Sequence, residues 1–396
     1  MLAPEPFFEP RGTPFSEYHR IKALTELGHS VDLVTYPFGA DVELPNLRIV
    51  RTARPPFATR VRIGPSVTKL VLDAFLAVTA WRQSRRETYD FVHSHEEAGV
   101  LGVLLARSLG VPHLYDMHSS LPQQLTNFRF AKSRVLRWLF QKIEDASVHG
   151  SEVVVTICQD LQDHVEAMGA GERSVLIENV MGGDVEDPPS VSAAAIRRQW
   201  SIDAAAPLVL YTGTFEPYQG LDMLLDAMAI LARTRPDARL LVVGGRPEQV
   251  EAAGAHAAKS GAAAVFTGHQ PARDIPAFVE ASDILTSPRI AGTNTPLKIY
   301  SYLRAGKPIV ATDLLTHTQV LDRSTALLVK PDAAAFAAAL EGLLNDPARR
   351  ASLARAAAER ARTRYSREMY VSRTRLVCDR LTAAGLRARI PAVPPA

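Results

Sequence analysis

The sequence predicts two Rossmann-like α/β domains that face one cleft. Short runs rich in β-branched residues alternate with longer amphipathic segments almost from end to end, which is the pattern of parallel sheets crossed by helices. The pattern breaks once near the middle of the chain and then begins again. A length of 396 residues agrees with two domains, because one hydrophobic core rarely organises so long a chain.

The first domain is predicted to cover residues 1–180. Residues 1–4 resemble the last part of a first strand, and six further runs are typical of buried strands. These runs lie at 31–36, 47–51, 91–93, 113–117, 153–157 and 174–178. Between them, apolar residues at helical spacing, such as Val135, Leu139 and Ile143, predict helices that pack one apolar stripe against the sheet.

The second domain is predicted to cover residues 206–365. A cluster of Gly, Asp and Pro without apolar periodicity marks residues 181–205 as the linker before it. Six strands are predicted in this domain, at 207–212, 239–243, 264–266, 283–286, 308–311 and 326–329, followed by a helix at 333–344. Residues 366–396 form a C-terminal helix and tail, and the helix, at 367–382, could pack on either domain.

The composition is that of a globular protein, with 47% hydrophobic and 22% charged residues. A net charge of +3 is too small for dedicated nucleic-acid binding, although it allows attraction to anionic substrates or lipid headgroups. Two cysteines, Cys158 and Cys378, are too few for a disulfide framework, and no spacing of His, Cys, Asp and Glu resembles a metal site. With neither a signal peptide nor a membrane span in the pattern, we expect a cytoplasmic protein that needs no metal and no cofactor.

Polar residues follow several predicted strands, where an open α/β sheet binds its ligands. In the first domain, Gly12 lies in the turn before the first helix, where glycine lets backbone approach a diphosphate closely. His95 and Glu96 end one strand and His118 ends the next, which makes His118 an active-site candidate. Each of these residues could instead have a structural role. Their common location at the carboxyl ends of two strands is what favours a functional site.

The second domain has glycine-containing turns after its first three strands, at 213–216, 244–247 and 267–270, and the last of these contains His269. The strongest pattern is residues 287–298. There Thr295 is predicted to cap a helix whose first position is Pro296. Lys298 in the first turn opposes the helix dipole unless an anion is bound, and Arg289 could add a bidentate phosphate contact.

One further segment mixes basic and aromatic residues, from Phe128 through Arg134 and Arg137 to Trp138. An interfacial helix could have this pattern, and so could a core-packed helix with a solvated basic edge. Contact with the inner face of a membrane is therefore an open expectation. No Walker loop, GxGxxG motif or G-x-S-x-G elbow occurs, which removes support for P-loop, dinucleotide and serine-hydrolase chemistry.

Taken together, these positions resemble the family-four retaining glycosyltransferases of the GT-B fold over nearly the whole chain. Residues 11–14 before a helix and 26–31 after it look like the family's N-terminal donor loop and first helix, and His118 matches its active-site histidine. Residues 296–308 look like its donor-binding helix. The resemblance implies a nucleotide diphosphate sugar bound mainly by the C-terminal domain, an acceptor approaching from the N-terminal domain, and metal-independent transfer with retention of configuration.

The chain departs from the family pattern at four positions. Thr293 and Ser301 stand where the family usually has two glutamates, and Thr214 and Gln219 stand where it usually has an arginine and a lysine. The hydroxyl groups can still hydrogen-bond, but they bind ribose less strongly than carboxylates. The residues predicted to contact the donor are Gly12, Gly213, His269, Arg289, Asn294, Thr295, Lys298 and Ser301.

We therefore expect transfer of a hexose or N-acetylhexosamine from the donor to a cell-envelope lipid, polysaccharide or small-molecule acceptor. His118 is the predicted catalytic residue, and His95 and Glu96 are the predicted acceptor-side residues. Two other functions fit the pattern: a catalytically degenerate GT-B protein that only binds a nucleotide sugar or glycan, and a GT-B sugar-nucleotide epimerase.

Overall fold

A computed structural model of the chain describes residues 1–8, 12–58, 67–122, 134–179 and 188–389. It divides into two compact units: Met1–Asn179 with Arg367–Ala396 form unit 1, and Val180–Ser366 form unit 2. Each unit contains one parallel sheet with helices, so the predicted class of two Rossmann-like domains is confirmed. Pro10, Arg11 and the basic-aromatic segment 128–132 lie outside the described residues.

Unit 1 is built on a seven-stranded parallel sheet with the order β3-β2-β1-β4-β5-β6-β7. Its strands are β1 Leu2–Ala3, β2 Val31–Thr35, β3 Leu47–Arg51, β4 Val92–His95, β5 His113–Met117, β6 Val153–Thr156 and β7 Ser174–Leu176. The short first strand pairs with both β2 and β4. The chain order reverses at β1, and ligand sites of such sheets form at the strand ends beside this reversal.

The helices described in unit 1 are α1 Gly12–Glu26, α2 Val67–Ser84, α3 Gly99–Leu109, α4 Arg134–Gly150, α5 Gln159–Ala167 and α14 Arg367–Arg389. The closing helix α14 packs on α1 and β6, although it follows unit 2 in the chain. It runs past the predicted end at residue 382. From the sequence, this helix could pack on either domain, because its apolar positions show that it is partly buried but not which domain buries it.

Unit 2 is built on a six-stranded parallel sheet with the order β10-β9-β8-β11-β12-β13. Its strands are β8 Leu208–Thr212, β9 Arg239–Val243, β10 Ala264–Gly268, β11 Ile284–Ser287, β12 Ile309–Thr312 and β13 Leu327–Val329. Its helices are α6 Ala193–Gln199, α7 Leu221–Leu231, α8 Pro247–Ser260, α9 Ile275–Ala281, α10 Leu297–Arg304, α11 Leu315–Thr318, α12 Ala333–Asn345 and α13 Pro347–Arg364. Apolar residues of α7, α12 and the central strands form its core.

Two predictions about packing differ from the structure. The segment 181–205, predicted as linker, contains α6, whose Ile196 is fully buried and whose Arg197 donates to the carbonyl oxygen of Ala281 at 2.9 Å. The predicted inward stripe of α4 is wrong at Val135 and Leu139, which are 75% and 45% exposed. Helical spacing shows that these residues share one face of α4, but it does not show whether that face points inward. Among the described residues, no helix is both long and apolar enough to cross a membrane.

Candidate active site

The first polar cluster lies at the carboxyl ends of β4 and β5 in unit 1. His93 and His95 point the same way along β4, because alternate residues of a strand share a face, and their rings lie 4.5 Å apart. Asp116 near the end of β5 and His118 just after it complete the cluster. All four side chains are buried.

Asp116 is the centre of this cluster. Its Oδ1 lies 3.4 Å from His118 Nε2, and its Oδ2 lies 3.5 Å from His93 Nε2. His95 Nδ1 lies 3.1 Å from His118 Nε2, so the histidines form a chain around one carboxylate. Arg20 Nε donates to Asp116 Oδ2 at 2.9 Å, which gives the carboxylate a permanent cationic partner.

Burial controls the charge of this cluster. It lowers the pKa of His93 to about 4, and it also lowers the pKa of His118, with Arg20 adding to the effect and Asp116 opposing it. Burial alone would raise the pKa of Asp116, but Arg20 and His118 hold it well below its usual range. The arrangement therefore favours a charged Asp116 and a neutral His118 near neutral pH.

The structure brings together three possible metal ligands that sequence spacing did not reveal. Ligand atoms of His93, His95 and Asp116 lie within 4.8 Å of one another. However, the guanidinium of Arg20 already contacts Asp116, and a fixed cation at this distance repels a divalent ion. We therefore assign the positive charge of this cluster to Arg20.

Carboxylates lie next to this cluster, at the carboxyl ends of the same strands. Glu96 accepts a hydrogen bond from Ser119 Oγ at 2.8 Å, and burial raises the pKa of Glu96 to about 8, with Glu97 and Glu5 adding to the effect. Burial likewise raises the pKa of Glu17 on α1. Since Glu96 lies beside His95 and Ser119, the predicted acceptor-side residues His95 and Glu96 share one edge with His118.

The second polar cluster lies at the carboxyl end of the unit 2 sheet, where three turns interlock. Gly213 donates its backbone N–H to the carbonyl oxygen of Val243 at 3.0 Å, and Gly244 donates to that of Gly268 at 2.8 Å. Gly244 has φ +121°, and a Cβ atom there would clash with the carbonyl oxygen of Gly213. Close backbone packing therefore fixes the first turn.

Lys298 points into this edge from the first turn of α10. Its ammonium donates to the carbonyl oxygen of Thr212 at 2.9 Å and lies 4.2 Å from the ring centre of Tyr211. Within the described ranges, no carboxylate forms an ion pair with Lys298. Burial lowers the pKa of Lys298 well below its usual range, and Arg289 adds to the effect. A bound anion would favour the charged form of this lysine.

Arg289 supplies a second cation beside Lys298. Its Nε donates to Gln219 Oε1 at 3.3 Å, and its Nη1 donates to the carbonyl oxygen of Asn294 at 2.8 Å and to Thr316 Oγ1 at 2.9 Å. Gln219 stands at one of the two positions where the family usually has a basic residue. The guanidinium of Arg289 thus places positive charge next to Gln219.

The helix start itself differs from the prediction. Pro296 is the N-cap residue and Leu297 is the first helical residue, one position later than expected. Thr295 is therefore one residue too early for its hydroxyl to reach the first-turn amides, and it makes no capping bond. The prediction of a Thr295 cap is wrong. The carbonyl oxygen of Asn294 is held instead by Arg289 and Thr316.

The remaining predicted donor residues lie at separate places. Gly12 is the first residue of α1 in unit 1. His269 is exposed after β10, and Ser301 is partly buried in α10, one turn after Lys298. Thr293 is exposed, and its carbonyl oxygen accepts from Gln319 Nε2 at 2.6 Å.

Sequence reasoning missed several groups, among them Arg20 and His93 in unit 1 and Thr316 in unit 2. Arg20 has a usable signal, because it follows Glu17 by three residues and precedes Leu24 by four, which places it on the core-facing side of α1. A charged residue at such a position needs a buried partner. Thr316 has no comparable signal, since its contact with residue 294 depends on how α11 packs.

Two family models match the chain. Residues 18–179 match the model described as a glycosyl transferase 4-like domain, and residues 206–346 match the model described as glycosyl transferases group 1. A curated relative, the phosphatidyl-myo-inositol mannosyltransferase of Mycolicibacterium smegmatis, is 26% identical over 404 residues, covering 98% of this chain and 95% of the relative.

Solved structures share the fold. The sucrose-phosphate synthase of Thermosynechococcus elongatus superposes with a TM-score of 0.77 at 22% identity, covering 94% of each chain. HepE of Anabaena, solved in complex with UDP and glucose, superposes with a TM-score of 0.71 at 17% identity, covering 96% of this chain and 98% of HepE. At these identities the likeness concerns the architecture of both units.

Proposed function

Because this chain belongs to the family-four glycosyltransferases of the GT-B fold, we propose that it transfers a sugar from a nucleotide diphosphate sugar with retention of anomeric configuration and without a metal. The observation that carries this proposal is the pair of cations, Lys298 and Arg289, at the start of α10. A departing nucleoside diphosphate carries negative charge, and cations fixed before the reaction stabilise that charge without reorganisation.

Unit 2 offers a suitable place for the diphosphate. The first amides of α10 have no partners within the helix, as at any helix start, and its dipole favours an anion there. Gly213 follows β8 at the same sheet edge, and its missing side chain lets a ligand approach the backbone. HepE, which has the same fold, binds UDP and glucose. In this chain, Arg289 and Lys298 take the role of the usual family cations.

Unit 1 supplies the residues that we assign to the sugar and the acceptor. His118 is buried, and its Nε2 lies 3.1 Å from His95 Nδ1 and 3.4 Å from Asp116 Oδ1. A neutral histidine can accept or donate one hydrogen bond to a sugar hydroxyl. We place His95 and Glu96 on the acceptor side, since Glu96 is held by Ser119 at the same edge.

The test uses purified protein with UDP-, GDP-, ADP- and dTDP-sugars in the presence of EDTA. Slow donor hydrolysis, with a product of unchanged anomeric configuration by NMR, supports the proposal. Stoichiometric binding without any product would instead show a binding protein. A free epimeric sugar or a sugar nucleotide of altered configuration would show an epimerase. Loss of all activity on EDTA addition would contradict metal independence.

A surface of unit 1 supports an acceptor presented by a membrane. α3 packs against both α2 and α4, and these three neighbouring helices expose large apolar side chains. The exposed residues are Leu70, Val78 and Trp81 of α2, Leu104 of α3, and Val135, Trp138 and Leu139 of α4. We call these seven residues the α2-α3-α4 surface. Exposed apolar patches of this kind mark interaction sites.

Exposed basic residues accompany the α2-α3-α4 surface. Arg82 and Arg85 are exposed at the end of α2, with Arg85 stacked over Trp81 at 5.8 Å, and Arg134 is exposed at the start of α4. Apolar groups between cations complement an anionic bilayer. The mycobacterial relative is named for a lipid acceptor. We therefore propose that this surface contacts an anionic membrane.

Sedimentation with vesicles tests the membrane proposal. The chain should bind phosphatidylglycerol vesicles more tightly than phosphatidylcholine vesicles, and salt should weaken the binding. The double variant Trp81→Ser with Trp138→Ser should lose most of it. Leu376→Ser is a matched control, because Leu376 is an exposed apolar residue of unit 1 on α14. Equal binding of the double variant and the wild type would contradict the proposal.

A further inference from the structure

The C-terminal helix α14 reaches the polar cluster of unit 1 through Arg20. Arg20 Nη1 donates to Thr374 Oγ1 at 3.3 Å, and the guanidinium lies 4.9 Å from the ring centre of Tyr370. Thr374 Oγ1 in turn donates to the backbone carbonyl oxygen of Tyr370 at 2.9 Å. Two residues of one helix turn therefore contact the guanidinium.

The other side of the guanidinium holds Asp116. Arg20 Nε and Asp116 Oδ2 are 2.9 Å apart, and their side chains are only 3% and 0% exposed, so solvent does not screen this pair. The second carboxylate oxygen, Oδ1, lies 3.4 Å from His118 Nε2. Contacts thus run from α14 through Arg20 and Asp116 to His118.

We propose that Arg20 is a positioning residue for His118, and that Thr374 and Tyr370 of α14 hold Arg20 in place. This inference rests on the proposed function, since it takes His118 to be the residue that contacts the sugar. Arg20 fixes the orientation of the Asp116 carboxylate and neutralises its charge. His118 can then remain neutral although a carboxylate lies beside it.

The balance of charge around His118 decides what removal of Arg20 does. The titratable groups that interact with Asp116, His118 or Arg20 are Glu17 of α1, His93 and His95 of β4, Tyr115 of β5, and Tyr370 and Cys378 of α14, and Glu96 in turn faces Glu17. Arg20 lowers the pKa of His118, whereas Asp116 raises it. Without the guanidinium, the uncompensated carboxylate should favour the imidazolium form.

The first experiment compares Arg20→Met and Arg20→Lys with the wild type by donor hydrolysis across pH. In Arg20→Met, kcat should fall by about tenfold or more, and the acidic limb of the kcat profile should move up by about one pH unit, the usual effect of an unbalanced charge nearby. KM for the donor should change little, because the donor cations lie in unit 2. Arg20→Lys should restore part of kcat and of the profile.

The second experiment separates positioning from helix docking. Thr374→Val removes the hydroxyl that bonds Arg20 but keeps the side-chain shape, and it should lower kcat in the same direction as Arg20→Met. The matched control is Arg373→Met, because the adjacent Arg373 joins α14 to Glu178 instead. It should lower thermal stability and leave kcat per folded molecule unchanged.

An unshifted pH profile in folded Arg20→Met, with kcat reduced only in proportion to the folded fraction, would overturn the inference. A fall of kcat in Arg373→Met equal to that in Thr374→Val would also overturn it, since general docking of α14 would then be the cause. Failure of the proposed function is distinguishable, because the wild type itself would then turn over no donor.

Discussion

Replacing Lys298 by methionine should weaken nucleoside diphosphate binding by about 10- to 100-fold, the loss expected for one charge-assisted contact to phosphate. The side-chain nitrogen of Lys298 is held by the Thr212 carbonyl oxygen and the Tyr211 ring, so it is already in place before a ligand arrives. Methionine keeps the length of the side chain but removes its charge. Calorimetric titration with UDP, GDP, ADP and dTDP measures the change for the nucleotide that the wild type binds best.

The control for this experiment is Lys307→Met. Lys307 also donates to backbone carbonyl oxygens, those of Glu280 and Ser282. It lies at the amino ends of β11 and β12, whereas Lys298 lies at the carboxyl ends of the strands. Its replacement should leave nucleotide affinity unchanged. Equal affinities for Lys298→Met and the wild type would remove the assigned role of Lys298 and with it the diphosphate site at α10.

Replacing His118 by alanine should lower kcat by about 100-fold or more, the range that a positioned polar group typically contributes to a transition state. The ring is buried and held between Asp116 and His95, so no nearby side chain can replace it without rearrangement. Donor KM should change little, because the predicted phosphate contacts are in unit 2. Steady-state donor hydrolysis or transfer measures both constants.

His113→Ala is the matched control for His118→Ala. His113 is also a buried histidine, but it starts β5, where its ring bonds Ser94 and Ser151 at 2.8 Å each. Its removal should reduce thermal stability and leave kcat of the folded protein intact. A His118→Ala enzyme with wild-type kcat would show that this histidine has only a structural role.

The sequence predicted the strands well because both sheets are parallel and, although β3, β10 and β13 are only partly buried, most of their strands are buried. Such strands are nearly continuous apolar runs, and all thirteen strands of the described chain appear where a run was predicted, although several ends differ by one or two residues. The direction of helix stripes was less certain. Helix α4 shows why. The spacing of Val135 and Leu139 puts both residues on one face of the helix, but it does not tell whether that face packs on a sheet or lies at the surface.

The sequence predicted which strand ends carry the residues of the site, but not which of these residues contact one another. Strand-end positions such as those of His95, His118 and Arg289 follow from the predicted strands alone. The link from Arg20 to Thr374 could not be predicted, because it joins residues 354 positions apart through a helix that follows the other unit. The Thr295 cap failed for a local reason, since a shift of one residue at Pro296 moves the hydroxyl out of reach.

The central claim is that a negatively charged leaving group binds beside Lys298, and the uptake of a proton on binding tests it most directly. Burial lowers the pKa of Lys298, and a bound diphosphate should raise it again, so binding takes up a proton between the two pKa values. Calorimetry in buffers of different ionisation enthalpy, from about pH 7 upward, where the phosphates stay ionised, measures this uptake. We predict uptake by the wild type, an affinity that falls as pH rises, and neither effect in Lys298→Met. A wild-type affinity independent of pH, with no proton taken up, would contradict the account.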